Sequence, residues 1–527
     1  MPSPRPAHSR ATALSAVAAL VEGAIEGPDG QDIAVHGVSL SSNDIVPGDL
    51  YAALPGANVH GASYAAAAVD AGAVAVLTDA DGATMLRTTL PQVPRVVVAS
   101  PRAVVGSVAS LLYGTRELPF VLFGVTGTNG KTTTAYLMNS ALEALGQTTG
   151  LIGTVETRIG HERLKSVRTT PEATVLHALL AVMSERGVDA CVMEVSSHAL
   201  SQHRVDGVVY DVALFTNLSQ DHLDFHPTMR DYFEAKASLF TPERSRRGVV
   251  CVDDEWGREL ARTCGVPVTT VTSVPDVAAD WRITAQDPDG GFTLSGPEAA
   301  LHLRSALPGD FNTVNTAMAA LALLASGIPR DQAERALSAD PHVPGRMQRV
   351  GVPAPQELGL PEVVVDYAHT PEAVAAALRA LRPSTRGSLV VVLGAGGDRD
   401  RGKRAAMGRA AAEHADQVFV TDDNPRTEDP AAIRAAILAG AVDATDSGNG
   451  AVSGAGLRDI AGRQAAIVAA VEAAYQSGPG GVVAIVGKGH ETGQEISGTV
   501  YPFDDVTEAT TALSALLDRV TRTEGRG

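Results

Sequence analysis

At 527 residues with 45% apolar composition, the chain is long enough for roughly three or four domains, each with a core of its own. A formal net charge of −18 excludes a broad nucleic-acid footprint, so any anionic substrate must be met by local clusters of basic groups. Cys191, Cys251 and Cys264 form neither a C-x-x-C pair nor an even disulfide framework, which fits a reducing cytoplasm.

The chain opens with a polar arm in which Arg5 and Arg10 precede the Ala-rich run Ala11 to Val21. That run is interrupted by Thr12 and Ser15 and is too short to span a bilayer, so it reads as a disordered arm over residues 1–14 entering a helix rather than as a signal peptide. Between about residues 30 and 115, β-rich runs (Val35 to Leu40, Ala73 to Leu77, Arg95 to Val98) alternate with Ala-rich helical runs and predict a small α/β unit. Leu40 to Tyr51 holds a polar Pro-Gly turn within it.

Phe120 to Val125 is short, apolar and β-branched, as a buried strand is, while Tyr136, Leu137, Ala141, Leu142 and Leu145 recur at helical spacing. Between them lies Gly124-Val-Thr-Gly-Thr-Asn-Gly-Lys-Thr-Thr-Thr134, which misses the strict G-x-x-x-x-G-K-[ST] spacing by one residue. Strand, glycines, lysine and threonine nevertheless occur in the context that a phosphate-binding loop requires, rather than that of a turn that only caps a helix. Gly127 and Gly130 turn backbone N–H groups toward an anion at a helix N-terminus, Lys131 reaches the outer phosphates and Thr132 ligates Mg²⁺.

Downstream, Val188 to Glu194 is an apolar run ending in an acid, and a carboxylate at the C-terminal end of a strand lies where open α/β sheets bind ligands. Glu194 is therefore a candidate Mg²⁺ ligand. Asp211 to Thr216 reads as a third strand leading to His222, which alone would be a structural histidine. Asp231 to Phe240 reads as an amphipathic helix, where Lys236 alone would be a solvated charge. Residues 245–305 are expected to be loop-rich with strand-like runs. Leu307 to Ala320 then enters a long helix with Asn312 and Asn315 on one side of its first turn, as caps or as ligand contacts. The last third alternates again, with strands at Val363 to Asp366, Leu389 to Leu393, Gln417 to Thr421 and Val482 to Val486, and predicts an open doubly wound sheet. Its polar segments all follow strands, so one crest of the sheet gathers them. Gly394 to Gly397 is not a dinucleotide fingerprint, because Arg399 stands where the third glycine belongs. Asp446 to Gly456 reads as a mobile inserted loop.

These segments together resemble the Mur ligase family, whose phosphate loop is shared by the related folylpolyglutamate synthetases. The G-T-N-G-K-T-T stretch is similar to the family's ATP loop and implies ATP contacts by Gly127, Thr128, Asn129, Gly130, Lys131, Thr132 and Thr133. The G-x-x-N-x-x-N stretch adds Asn312 and Asn315, the P-G-R-M hinge adds Arg346, and the Asp366 segment adds Asp366 and His369. Leu40 to Tyr51 resembles the uridine-nucleotide signature and retains Ser42, although Ser41 and Asn43 replace its Asp and Arg. The resemblance implies that Lys131, Glu194, His222 and Lys236 are the catalytic group, with Thr132, Glu194, His222 and Lys236 around Mg²⁺ and Lys236 carbamylated by CO₂. It further implies that Thr169, Thr170, Ser196, Gln202 and Arg204 hold a UDP-N-acetylmuramoyl-dipeptide. The D-N-P-R segment resembles members that take diaminopimelate, which places Arg399, Asp423, Asn424, Pro425, Arg426, Gly487 and Glu491 around that amino acid. A guanidinium fork at Arg426 suits the second carboxylate, and Glu491 suits the distal ammonium.

The implied architecture is α/β in three domains. A nucleotide-binding unit spans 1–118, a central P-loop ATPase unit with a mostly parallel sheet spans 119–345, and a Rossmann-like doubly wound unit spans 346–527. The implied activity is ATP- and Mg²⁺-dependent addition of diaminopimelate to UDP-N-acetylmuramoyl-L-alanyl-D-glutamate in peptidoglycan synthesis. It would be carried out by a cytoplasmic monomer with neither nucleic-acid nor membrane partners. A lysine-adding ligase, a folylpolyglutamate-type ligase and a P-loop nucleotide switch are the alternatives.

Overall fold

The computed structural model describes residues 4–28, 33–287, 290–297, 299–354, 358–448, 451 and 456–524. Most of the expected inserted loop, residues 449–450 and 452–455, lies outside them. Among the described residues no helix is long and apolar enough to cross a membrane.

Three sheets carry the chain. The first runs in the order Ala24–Glu26, Arg95–Val97, Ala75–Thr78, Asp49–Ala52 and Gly37–Ser39, parallel except at its first pair. The arm expected to be disordered over residues 1–14 is instead tied down at Arg5, at Ala7 and His8, and at Thr12–Ala13, with residues 7–11 exposed. Arg5 forms a two-pronged ion pair with Asp49, Nη1 to Oδ1 at 2.8 Å and Nη2 to Oδ2 at 2.6 Å. Thr12–Ala13 pairs with Ala34–Val35, and Leu14 and Val17 of the following helix are buried. Asp49 is almost completely buried, and a carboxylate taken from water requires a counter-charge, which the arm supplies.

The central sheet has eleven strands. Ala190–Glu194, Val121–Thr126 and Val212–Phe215 are adjacent and parallel at its middle, with Glu194 opposite Val125 and Phe215 opposite Thr126. Their C-terminal ends therefore open side by side, as ligand sites in such sheets require. Residues 245–305 are strand-rich rather than loop-rich: Gly248–Cys251, Val268–Thr272, Trp281–Gln286, Gly291–Ser295 and Ala300–Arg304 extend the sheet to its edge. Phe292, Leu294, Leu301 and Leu303 alternate with more exposed residues, so each of these last strands is apolar on one face only. The helix Asp310–Ala325 packs on Lys131–Ala144, and both contribute to one core.

In the third sheet, Glu362–Asp366, Val482–Val486, Leu389–Leu393 and Gln417–Val420 are parallel neighbours in that order, so the four polar segments that follow them meet at one crest. The strand Val482–Val486 is anchored from behind. Arg463 donates from Nη2 to Val486 O at 2.9 Å and pairs with Asp505 through Nε and Nη2, both at 2.7 Å, with both side chains fully buried. Asp505→Ala is expected to destabilise this unit by about 3–5 kcal/mol, because it strands a buried guanidinium. A denaturation midpoint equal to that of the wild type would remove the pair from the stability of the fold.

Candidate active site

The phosphate loop is held open by backbone shape and by the neighbouring strand end. Gly130 has φ +86° and Gly127 φ +145°, and a Cβ on Gly127 would lie 1.9 Å from Thr216 Oγ1. Thr216 Oγ1 donates to Asn129 O at 2.6 Å, Asn129 N donates to Asn217 Oδ1 at 2.9 Å, and the Thr128 hydroxyl lies 3.2 Å from Tyr232 Oη. Lys131 donates from Nζ to Gly127 O at 2.9 Å and Thr128 O at 2.8 Å, so its ammonium bends back over its own loop. Burial pushes its pKa down, opposed by Glu194 and Asp221. Thr132 and Thr133 are buried in the first turn of the helix, and Asn315, hydrogen-bonded to Asn312, abuts Gly130 from the helix Asp310–Ala325.

Glu194 is buried beside this loop. It accepts from Thr154 N at 2.8 Å, Thr154 Oγ1 at 3.0 Å and Thr132 Oγ1 at 2.9 Å. His222, with φ +54°, lines the same cavity, and burial lowers its pKa to about 4, leaving a neutral imidazole able to ligate a metal. Lys236 is only 1% exposed, and its amine donates to Gly127 O at 2.7 Å and lies 4.7 Å over the Tyr232 ring. Burial, reinforced by the charge of Lys131, drives its pKa well below the ordinary lysine value. Among the described residues no three His, Cys, Asp or Glu side chains cluster tightly enough to hold a metal unaided. A threonine hydroxyl, one carboxylate and one imidazole fit Mg²⁺ if phosphate oxygens complete its shell, which is how Mg²⁺ is usually bound.

A cleft of about 520 Å³ continues from here between the central and C-terminal sheets, lined by Thr169, Thr170, Ser196, Arg204 and His222 on one side. On the other side it is lined by His369, Arg399, Asp423, Asn424, Arg426, Gly487 and Glu491. On the first side Thr170 Oγ1 donates to Glu194 O at 2.9 Å, and Arg102, Arg168 and Arg204 all pair with the single carboxylate of Glu172. Those three cations around one anion leave a local positive excess. On the second side Arg426 has φ +53°, donates from Nη1 to Gly397 O at 2.7 Å and pairs through Nε with Glu495 at 3.3 Å. The fork expected to meet a carboxylate is thus partly engaged within the protein, and among the described residues Nη2 is the nitrogen left over. Arg399 is 60% exposed, and its nearest acid is Asp224 at 4.0 Å, contributed by the central domain. Pro425 is buried between Asn424 and Arg426.

The linker joins the two sides. Arg346 Nη2 donates to Thr132 Oγ1 at 3.3 Å and its guanidinium lies 4.4 Å over the Tyr367 ring, while Asp366 accepts from Met347 N at 2.7 Å. Ser42 lies in a turn of the first sheet's unit, and Gln202 accepts from Arg204, which lines the cleft.

Profiles of the Mur ligase family match three parts of the chain: its catalytic-domain profile at residues 34–113, the Mur ligase middle domain at 125–324, and the Mur ligase glutamate ligase domain at 345–489. The chain belongs to the Mur ligase family. A Mur ligase of Streptomyces avermitilis named UDP-N-acetylmuramoyl-L-alanyl-D-glutamate--2,6-diaminopimelate ligase is 50% identical over 95% of this chain and 96% of its own. A UDP-N-acetylmuramyl-tripeptide synthetase of Leifsonia xyli is 46% identical over 97% of each chain. A solved UDP-N-acetylmuramoyl-L-alanyl-D-glutamate--2,6-diaminopimelate ligase superposes with a TM-score of 0.65 at 29% identity, covering 96% of this chain and 99% of that one.

For a Mur ligase read from sequence, several residues of this site are not singled out by the motifs, among them the cavity-lining Asp221 and Tyr367 and two others, Thr154 and Lys488. Thr154 follows the strand Thr149–Ile152, and the strand-end rule that picked out Glu194 would have found it. Lys488 sits inside the Gly487-to-Glu491 segment but points beneath the cleft floor, which its neighbours in sequence do not reveal.

Proposed function

We propose that this Mur ligase joins diaminopimelate to the D-glutamate carboxylate of UDP-N-acetylmuramoyl-L-alanyl-D-glutamate with hydrolysis of ATP to ADP and phosphate. The observation that supports it most is that the phosphate loop and the Asn424–Arg426–Glu491 set open into connected cavities from two different sheets. The names of the relatives point the same way.

The D-glutamate carboxylate attacks the γ-phosphorus of ATP and ADP leaves. The amine of diaminopimelate then attacks the acyl phosphate carbon, loses a proton, and expels phosphate as the amide forms. Such chemistry is mainly positioning and charge stabilisation. The helix N-terminus behind Thr132 and Thr133 faces the outer phosphates, and Lys131 would exchange its bonds to Gly127 O and Thr128 O for one to them. Thr132, Glu194, His222 and a carbamylated Lys236 are the groups that would hold Mg²⁺, which neutralises charge on the transferring phosphoryl group when bound. The arginines around Glu172, with Thr169, Thr170 and Ser196, orient the acidic dipeptide. Arg426 and Arg399 meet the carboxylates of diaminopimelate and Glu491 its distal ammonium. Domain boundaries lie near residues 118 and 345, so closure about Arg346 assembles the site. The enzyme works as a cytoplasmic monomer.

Phosphate release with UDP-dipeptide and either diaminopimelate, L-lysine or no amino acid tests this reading. Release dependent on diaminopimelate is expected. Equal release without any amino acid would identify a nucleotide hydrolase instead, and activity on a folate in place of the UDP-dipeptide would identify the folylpolyglutamate-type reaction.

A further inference from the structure

Beneath the floor of the amino-acid side of the cleft lies a lysine that lines neither cavity. Lys488 is 0% exposed, and its Nζ donates to Asn424 Oδ1 at 3.1 Å and to Glu491 Oε2 at 3.3 Å. Asn424 closes the triangle, because its Nδ2 donates to the same Glu491 Oε2 at 2.8 Å while Glu495 N donates to its Oδ1 at 3.0 Å. With two acceptor bonds on Oδ1 and one donor bond on Nδ2, the amide has a single sensible orientation. Glu491 is therefore held through one oxygen, and among the described residues no donor reaches Oε1, on a side chain that is one-third exposed to the cleft.

The energetics make this more than a structural pair. An ammonium withdrawn from water is tolerated only where it is paired, and its counter-charge here is a group that itself faces substrate. With Oε2 taken by Lys488 and Asn424, the cleft offers the other carboxylate oxygen of Glu491, fixed in place, to an incoming cation. The same lysine, through Asn424, stiffens the segment that ends in Arg426, whose backbone is also tied to the hairpin Gly493–Pro502 by Arg426 N donating to Glu495 O at 3.0 Å. A zwitterionic amino-acid terminus carries a cation and an anion about one carbon apart, and both of its receptors are set from this one buried charge.

We infer that Lys488 is a positioning residue that fixes Glu491 and Asn424 for the distal ammonium of the amino-acid substrate. This rests on the proposed amide ligation but not on which amino acid is used. The test is a double-mutant cycle of Lys488→Met and Glu491→Gln, assayed with whichever amino acid the wild-type enzyme turns over best. A misassigned amino acid then shows in the wild-type comparison, and a misassigned lysine shows in the cycle. Lys488→Met is expected to raise KM for the amino acid at least tenfold, with kcat at saturation within threefold and KM for ATP and UDP-dipeptide unchanged. In the Glu491→Gln background it is expected to change that KM by less than twofold, since the two act as a unit. Should Lys488→Met alone fail to fold, the double variant leaves no unpaired buried charge, and its KM is compared directly with that of Glu491→Gln. A folded Lys488→Met enzyme with wild-type KM for the amino acid would overturn the inference. A more than tenfold further rise in KM in the double variant over Glu491→Gln would overturn it as well.

Discussion

Replacing Lys236 with alanine is expected to lower the rate of amide formation by about 10²–10³-fold, the usual cost of deleting one group that stabilises developing charge. The reason lies in where the helix Met229–Ala237 puts the side chain. Among the described residues its amine is buried with a single carbonyl partner, and the repulsion from Lys131 outweighs the partial offset from Asp221, so an ammonium there is poorly compensated. Burial favours the neutral amine, which is the form that adds CO₂ and releases a proton to give a carbamate. A carbamate there would add an anionic oxygen donor to Thr132, Glu194 and His222 and relieve the repulsion from Lys131. Wild-type enzyme in CO₂-depleted buffer should accordingly lose activity and regain it with bicarbonate, while the alanine variant responds to neither. An alanine variant as active as the wild type would remove Lys236 from the chemistry and leave it, at most, a packing role.

The parts of this protein that were legible in the sequence share one property: the signal is local. Leu389–Leu393 and Val482–Val486 were bounded correctly because parallel strands covered on both faces write continuous apolar runs. The phosphate loop was legible because it needs glycines next to a strand and a helix within a dozen residues. The strands between Trp281 and Arg304 show only as strand-like runs in a stretch that reads as loop-rich, since a sheet edge apolar on one face gives short alternations that resemble loops. Arg5 was assigned to a disordered arm because its partner, Asp49, lies 44 residues away and no pattern around either residue announces the pair. The same holds for Lys488: whether a lysine faces water or the underside of a substrate carboxylate is decided by the hairpin and by Asn424, 64 residues earlier. Partial engagement of Arg426 by Glu495 and Gly397 is likewise a tertiary fact about a residue whose importance was visible in sequence.

That engagement sharpens what Arg426 is expected to do for amino-acid choice. Diaminopimelate differs from lysine by one carboxylate, and a site that holds a guanidinium ready for it penalises the analogue lacking it, because a polar group is then left unpaired. The wild type should use diaminopimelate at least about a hundredfold better than L-lysine in kcat/KM. Tethering by Gly397 O and Glu495, with a backbone at φ +53°, means that little side-chain freedom is lost when the carboxylate arrives. Arg426→Ala should erase most of the preference by lowering kcat/KM for diaminopimelate, while KM for ATP stays nearly constant because the phosphate loop lies on the other sheet. Arg426→Lys should not restore it, since an ammonium cannot hold Gly397 O and Glu495 and still present a nitrogen to the substrate in the plane of a fork. The measurement is kcat/KM for both amino acids in all three proteins at saturating ATP and UDP-dipeptide. Equal use of lysine and diaminopimelate by the wild type would overturn the role of Arg426, and the D-N-P-R segment would then have to be read as a structural turn that holds the hairpin Gly493–Pro502 against the cleft.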